Sequence, residues 1–310
     1  MQSKNQIRQL LESAGVRPNK RFGQHFLIDL NLMRLLIDAA DIRKNDVVLE
    51  VGCATGSLTE AIAEKAGFCI AVEIDAVLAN IAKTQLADRQ NVEIIAADAL
   101  ENKFEINPDV MDALNIARAK YTRLGEGADV SSEATDSPSR SRKGRLLLVS
   151  NLPYVAGTPL MLNLITGPVV VDAMFVTVQK EVADRMTAQP GTKDYGILSI
   201  ILSATGNIKH IRTLRPTVFW PQPQVDSALV SYVRDVEKAG KIKNIEMLSK
   251  IAGAFLRYRR KMLKGCCKLM TGTLEGTDWF EIFSQCGIDP ESRPDHLTPE
   301  QFVCLANLCA

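Results

Sequence analysis

Between residues 46 and 178, short apolar runs alternate with stretches of helical periodicity. Val47–Val51, Cys69–Glu73, Val92–Ala96, Leu146–Ser150 and Ala173–Val178 read as strands, with helices over Ser57–Ala66, Ala76–Ala87 and Pro159–Ile165 between them. That alternation predicts a parallel sheet with crossover helices. Ile208–Leu214 and Ser227–Val233 also have strand character. They lie too close together for a parallel crossover, so an antiparallel hairpin at a sheet edge is expected. After about Glu237 the pattern turns to amphipathic helices only, over Ile245–Tyr258, Met262–Met270, Trp279–Cys286 and Pro299–Leu308. The fold class expected is therefore α/β, with a Rossmann-like domain over 1–238 and a small all-helical C-terminal domain over 239–310. Within the first, Val110–Tyr121 has the makings of a helix. Gly125–Gly144 is rich in Ser, Gly, Asp and Arg and reads as a mobile surface insertion without chemistry.

Composition narrows the classes. The 310 residues are 46% hydrophobic, enough for a sizeable core. No apolar run approaches the length of a membrane span, and Met1–Leu11 is polar and mixed, unlike a signal-peptide core. Seven cysteines are scattered without a C-x-x-C pair and the three histidines lie far apart, so no metal site is expected. Reduced thiols in a cytoplasmic protein are the simplest reading, and nothing in the sequence demands more than a monomer. The net charge of +1 argues against a nonspecific polyanion binder. The charge is nonetheless clustered. Residues 1–28 hold Lys4, Arg8, Arg17, Lys20 and Arg21 against Glu12, and residues 251–270 hold Arg257, Arg259, Arg260, Lys261, Lys264 and Lys268 with no acid. Such clusters suit phosphates, although a solvated helix face has the same composition.

Chemistry concentrates at the ends of the expected strands. Leu146–Val149 runs into Asn151-Leu152-Pro153-Tyr154. As Asn and Pro these are ordinary turn formers. As a set, an Asn amide oxygen and a nearby backbone carbonyl can accept both N–H bonds of an exocyclic amine, while Tyr offers a stacking face. Upstream, Val47–Val51 enters a turn with Gly52 and Gly56, spaced unlike the G-x-G-x-x-G dinucleotide fingerprint. Glu73 closes the second strand, where an acid can hold ribose hydroxyls. Asp98 follows the third and can accept from an adenine amine or merely cap a helix. An acid after each strand suits an adenosyl group without pyrophosphate, and hence S-adenosylmethionine over NAD.

The order of short motifs extends this reading over nearly the whole chain outside Asn107–Arg145. They are Arg21-Phe22-Gly23-Gln24-His25-Phe26-Leu27, Glu50 to Gly56, Glu73, Asp98-Ala99, Asn151 to Tyr154 and Gln179-Lys180-Glu181-Val182. Then follow Tyr195-Gly196-x-Leu198-Ser199, Phe219-x-Pro221-x-Pro223-x-Val225-Asp226-Ser227-Ala228 and Ala254-Phe255-x-x-x-Arg259-Arg260-Lys261. The chain resembles the rRNA adenine N6,N6-dimethyltransferase family, in particular its small-subunit (kasugamycin-sensitivity) branch. The resemblance implies a class I methyltransferase sheet. His25 and Leu27 would contact cofactor from an N-terminal segment folded over the site, Gly52 would admit its methionine part, Glu73 its ribose and Asp98 its adenine. Asn151 would lie beside both cofactor and target amine, with the Pro153 carbonyl as second acceptor. Tyr154 and Phe219 would stack on the extruded adenine, although Phe219 by itself reads as core packing. Arg257, Arg259, Arg260 and Lys261 would bind RNA. The implied partner is the small ribosomal subunit, the implied targets two adjacent adenosines near the 3′ end of its rRNA, modified during subunit assembly.

Two places depart from the family pattern. Cys53-Ala54-Thr55 stands where a Pro-Gly pair is common, and Val155-Ala156 stands where Asn-Ile is frequent. The rival readings are a large-subunit rRNA adenine methyltransferase, a noncatalytic ribosome assembly factor, a DNA adenine methyltransferase and, least in keeping with the glycine spacing, an NAD-dependent oxidoreductase.

Overall fold

The computed structural model describes residues 1–19, 23–122, 143–154, 156–270 and 274–310. The helices are α1 Lys4–Ser13, α2 Leu30–Ala40, α3 Ser57–Lys65, α4 Ala76–Gln85, α5 Pro108–Thr122, α6 Gly157–Thr166, α7 Lys180–Met186, α8 Ile197–Thr205, α9 Val236–Gly240, α10 Ile245–Leu256, α11 Leu263–Cys267, α12 Trp279–Gln285 and α13 Pro299–Leu308. The strands are β1 Phe26–Leu27, β2 Val47–Val51, β3 Phe68–Glu73, β4 Val92–Ala96, β5 Leu100–Asn102, β6 Glu105–Ile106, β7 Leu146–Asn151, β8 Ala173–Gln179, β9 Gly206–Leu214, β10 Phe219–Trp220 and β11 Ser227–Arg234. The helix expected over Val110–Tyr121 is α5, while most of the polar stretch Gly125–Gly144 lies outside the described residues. So do Lys20, Arg21, Phe22 and Val155.

Seven strands form the main sheet in the order β4-β3-β2-β7-β8-β11-β9. β2 pairs in parallel with β3 and β7, as do β3 with β4 and β7 with β8. Every residue of β2 is buried, whereas β4 alternates between partial and full exposure at the edge. That difference follows from covering a central strand on both faces. β11 and β9 are neighbours with β9 outermost, at the edge where the pair was expected. Leu36, Ile62, Val48, Leu147 and Val149 are among the buried side chains that join α2 and α3 to the sheet.

By compactness the chain groups into two units, Met1–Lys180 with Ile211–Ser231, and Glu181–His210 with Tyr232–Ala310. The second unit thus takes in α8, which sequence reading placed with residues 1–238. Its core joins Leu198 and Ile201 of α8 to Leu248, Ile251 and Phe255 of α10 and to Phe302 and Leu305 of α13, all buried. The Phe255 and Trp279 rings meet edge-on at 5.0 Å, and Tyr195 donates its hydroxyl to the Leu297 carbonyl at 2.9 Å. Cys286 and Cys304 form a disulfide with Cα atoms 5.8 Å apart, which corrects the expectation of reduced thiols throughout. The pair is 18 residues apart in sequence, and only the packing of α12 against α13 brings the thiols together. No helix among the described residues is long and apolar enough to cross a membrane, and no metal-binding cluster occurs among them.

Candidate active site

The C-terminal ends of β2, β3 and β7 converge on a cleft of about 290 Å³ in the first unit, the usual place for a ligand in an open parallel sheet. Gly52, Glu73, Asp98, Asn151, Pro153, Tyr154, His25 and Leu27 all line it. β2 ends in a turn in which Gly52 and Gly56 have φ of +82° and +83°. A Cβ on Gly52 would lie 3.0 Å from Pro153 Cγ, so the turn packs against the Asn-Leu-Pro-Tyr segment only because that position has no side chain. Ala54, at the expected departure from family pattern, also has positive φ, +53°. The turn therefore keeps a left-handed residue there even without glycine, and Ala54 packs near Ile7, Leu11, Phe26 and Leu78.

Glu73 is 5% exposed. Its carboxylate accepts the Ala54 N–H at 2.8 Å and the Asp75 N–H at 3.0 Å. Burial raises its pKa, and these backbone donors oppose the rise. Each carboxylate oxygen keeps lone pairs for further donors such as ribose hydroxyls. Asp98 is exposed, and its Oδ1 accepts the Leu100 N–H at 3.0 Å, shaping the turn into β5 in place of the helix cap that was its alternative. Glu50, also in the lining, is 2% exposed and accepts the Thr59 hydroxyl at 2.7 Å. Burial pushes its carboxyl up to about 8. Among the described residues no Lys, Arg or His pairs with Glu50 or Glu73. With Glu50 holding its proton at neutral pH, the buried and cation-free Glu73 is the acid that suits the cleft to a positively charged ligand.

Asn151 is held on both sides. Its Nδ2 donates to the His25 carbonyl at 2.9 Å, and its Oδ1 accepts from the Thr177 hydroxyl. A carbonyl oxygen can only accept, so the amide nitrogen must face His25 and the amide oxygen must face Thr177. The His25 ring is fixed in turn by Nδ1, which donates to the Pro221 carbonyl at 2.7 Å. β1, which carries Leu27, pairs with β10 in the register Phe26 to Trp220 and Leu27 to Phe219. Tyr154 Oη lies 2.9 Å from Ser227 Oγ, and the Tyr154 and His25 rings are 5.4 Å apart. Burial raises the Tyr154 pKa, so its hydroxyl stays protonated at neutral pH.

Phe219, expected to stack on the target base, does not join this set. It is 1% exposed and packed in the main core, outside the cleft lining. Its partner in the β1–β10 register, Leu27, does line the cleft, so Phe219 lies directly behind that lining residue. In the second unit Arg257, Arg260 and Lys261 are exposed. Arg259 is committed internally, donating to the Lys193 and Thr192 carbonyls at 3.0 and 3.2 Å and pairing with Asp295 at 3.2 Å.

Three contributors escaped sequence reading. Gln2 is buried, and its side chain brackets Thr55 of the glycine turn, donating to the Thr55 carbonyl at 3.1 Å and accepting the Thr55 hydroxyl at 2.6 Å. Ile7 of α1 lines the cleft. The signal for α1 was present as a capping box, Ser3 with Gln6. Thr177 sits in an apolar run, and no local signal marks it.

A family model described as "Ribosomal RNA adenine dimethylase" matches residues 15–310. The chain is 34% identical over 302 residues to "Ribosomal RNA small subunit methyltransferase A" of Pelotomaculum thermopropionicum, covering 97% of this chain and 94% of that one. In fold it is similar to a dimethyladenosine transferase from Plasmodium falciparum, with TM-score 0.67, 20% identity and coverage of 91% of this chain and 96% of that one. It is also similar to the 23S rRNA methyltransferase ErmE, with TM-score 0.58, 19% identity and coverage of 91% and 98%.

Proposed function

Because this chain belongs to the ribosomal RNA adenine dimethylase family, we propose that it transfers methyl groups from S-adenosylmethionine to the N6 amine of adenosines in small-subunit rRNA, giving N6,N6-dimethyladenosine. Its sheet is the Rossmann-like sheet of a class I methyltransferase. By family resemblance the targets are two adjacent adenosines near the 3′ end of that rRNA, modified during subunit assembly in the cytoplasm. The fold is shared with a 23S rRNA enzyme, so fold does not choose between the branches. The small-subunit choice rests on the near full-length likeness to small-subunit methyltransferase A.

The observation that carries the chemistry is the Asn151 carboxamide, oriented by two protein hydrogen bonds inside a cleft that also holds Glu73 and Asp98. The residues present suit S-adenosylmethionine. Glu73 takes the ribose, Asp98 the adenine amine, Gly52 leaves room for the methionine part, and Glu73, with no cation of the described residues paired to it, favours its positive charge. When bound, the cofactor supplies a methyl group already activated on a sulfonium, which departs as a neutral thioether.

The difficulty left to the protein is the nucleophile, because the adenine N6 lone pair is delocalised into the ring. Asn151 Oδ1 has one lone pair engaged by Thr177 and one remaining for an N–H of the target amine. The Pro153 carbonyl accepts the Gly157 N–H at 3.1 Å and likewise retains acceptor capacity for the other N–H. Holding both N–H bonds out of the base plane turns the lone pair toward the methyl group, and orientation of this kind supplies much of the acceleration. Tyr154, steadied by Ser227, offers a stacking face. Extruding the base costs a few kcal/mol, and one aromatic contact returns about 1–3 kcal/mol. Arg257, Arg260 and Lys261 in the helical region serve phosphate contacts, while Arg259 shapes the segment they flank. The test is methyl transfer from labelled cofactor to unmethylated small subunits, large subunits and duplex DNA. Label confined to small-subunit RNA is expected, and label in large-subunit RNA or in DNA overturns the assignment.

A further inference from the structure

Resting on the function just proposed, we infer that Thr177 is a positioning residue for the reaction, setting which face of the Asn151 carboxamide meets the target amine. Thr177 lies on β8 directly opposite Asn151 in the parallel register of β7 and β8. It is 3% exposed, and it grips the Asn-Leu-Pro-Tyr segment twice. Its carbonyl accepts the Leu152 N–H at 3.1 Å, and its hydroxyl donates to Asn151 Oδ1. A β-branched side chain in a strand has few rotamers, so the hydroxyl is held in place by the backbone that carries it.

The hydroxyl has a specific consequence for Asn151. The His25 carbonyl fixes the amide nitrogen from one side, but that contact comes from the two-stranded β1 region. Thr177 fixes the oxygen from the main sheet. With the Thr177 proton on one lone pair, the amide oxygen presents a single remaining lone pair, which limits the directions from which an amine N–H can approach. Without the hydroxyl, only the His25 contact still orients the amide, Oδ1 can accept water in that place, and the amine is held less firmly against the methyl group.

The two methylations differ in how far they depend on this. The unmodified amine has two N–H bonds and can engage both Asn151 and the Pro153 carbonyl. The monomethylated amine has one N–H, so its orientation depends on one acceptor. A loosened Asn151 therefore slows the second transfer more than the first, and N6-methyladenosine accumulates. A loss of folded protein or of cofactor binding would scale both transfers alike.

The test compares Thr177→Val, Thr177→Ala and Thr177→Ser with wild type in single-turnover methyl transfer to unmethylated small subunits. Cofactor affinity is measured separately by calorimetry, and products are separated as nucleosides. Expected are a fall in rate of about tenfold for Val and Ala, the effect of one lost orienting hydrogen bond, and cofactor affinity within about twofold of wild type by the same reasoning. A raised ratio of mono- to dimethyladenosine and recovery of rate and ratio in Ser complete the expectation. Wild-type rate and product ratio in either Val or Ala overturns the role, as does a rate loss in Ser equal to that in Val. Two hydroxyl-free variants keep the comparison open if one of them fails to fold. Wild-type protein that leaves small-subunit adenosines unmethylated overturns the proposed function itself, a result separate from any difference among the variants.

Discussion

Replacing Glu50 by Gln isolates the electrostatic design of the cleft floor. Glu50 sits in the central strand β2, 2% exposed, with the Thr59 hydroxyl as donor. Burial and the nearby Glu73 carboxyl push it from an ordinary value near 4.5 up to about 8. Cys53 and Cys69 also face it, both with thiols raised by burial, so no neighbouring positive charge offsets the cost of ionising it. The sign follows from proton counting. In the unfolded chain Glu50 loses its proton near its ordinary value, whereas in the fold it keeps the proton until about pH 8. Between these limits the folded protein binds more protons, and stability falls as pH rises. At 1.36 kcal/mol per pH unit, the loss has a ceiling on the order of 5 kcal/mol by pH 8. Gln retains an acceptor for Thr59 but cannot ionise. Its buried amide adds a constant offset, so the informative quantity is the change of the difference with pH. Urea unfolding of the cofactor-free wild type and Glu50→Gln from pH 5 to pH 8 should show the variant gaining several kcal/mol on the wild type. Glu73 titrates in both proteins and largely cancels. Two stability curves that stay parallel across this range refute the reasoning.

Ala54 occupies a left-handed conformation at φ +53°, which costs an L-residue on the order of 1 kcal/mol. Ala54→Gly should therefore raise the unfolding free energy by about 0.5–1 kcal/mol, read from urea midpoints. An equal or larger destabilisation would show that methyl packing near Leu78 dominates. Joint substitution of Arg257, Arg260 and Lys261 by Ala should weaken RNA binding, reduce the salt dependence of that binding by about two in log–log slope if all three reach phosphates, and leave cofactor affinity unchanged. Filter binding at several salt concentrations measures this, and an unaltered slope removes the three from the RNA contact.

Much of the sheet was legible because its strands carry their signal locally. β2 and β4 fall on Val47–Val51 and Val92–Ala96 as expected, and α13 falls on Pro299–Leu308. A continuous apolar run such as β2 states both the strand and its burial on two faces, whereas β4, broken by Glu93, states the strand and lies part-exposed at the edge. The glycine turn, Glu73 and the Asn151 segment were legible for a related reason: each is a polar break at the end of such a run, and the fold brings strand ends together. What escaped depends on partners distant in sequence. β1 and β10 are two residues each and exist through one another. Cys286 and Cys304 meet through helix packing. Phe219 reads equally as cleft or core in sequence, and its burial behind Leu27 depends on the pairing of β1 with β10. Arg259 looks like its neighbours Arg257 and Arg260 in sequence, yet the carbonyls of Thr192 and Lys193 claim its guanidinium. Thr177 is an ordinary strand residue until its cross-strand partner is known to be Asn151.

The central claim, that this cleft dimethylates adenosine through Asn151, is met most directly by nucleoside analysis of unmethylated small subunits incubated with cofactor and either wild type or Asn151→Ala. The account predicts N6,N6-dimethyladenosine with wild type and a large loss of turnover in the variant, whose affinity for S-adenosylmethionine falls far less. Equal losses in turnover and affinity would make Asn151 chiefly a cofactor ligand, and undiminished dimethyladenosine from Asn151→Ala would contradict the account.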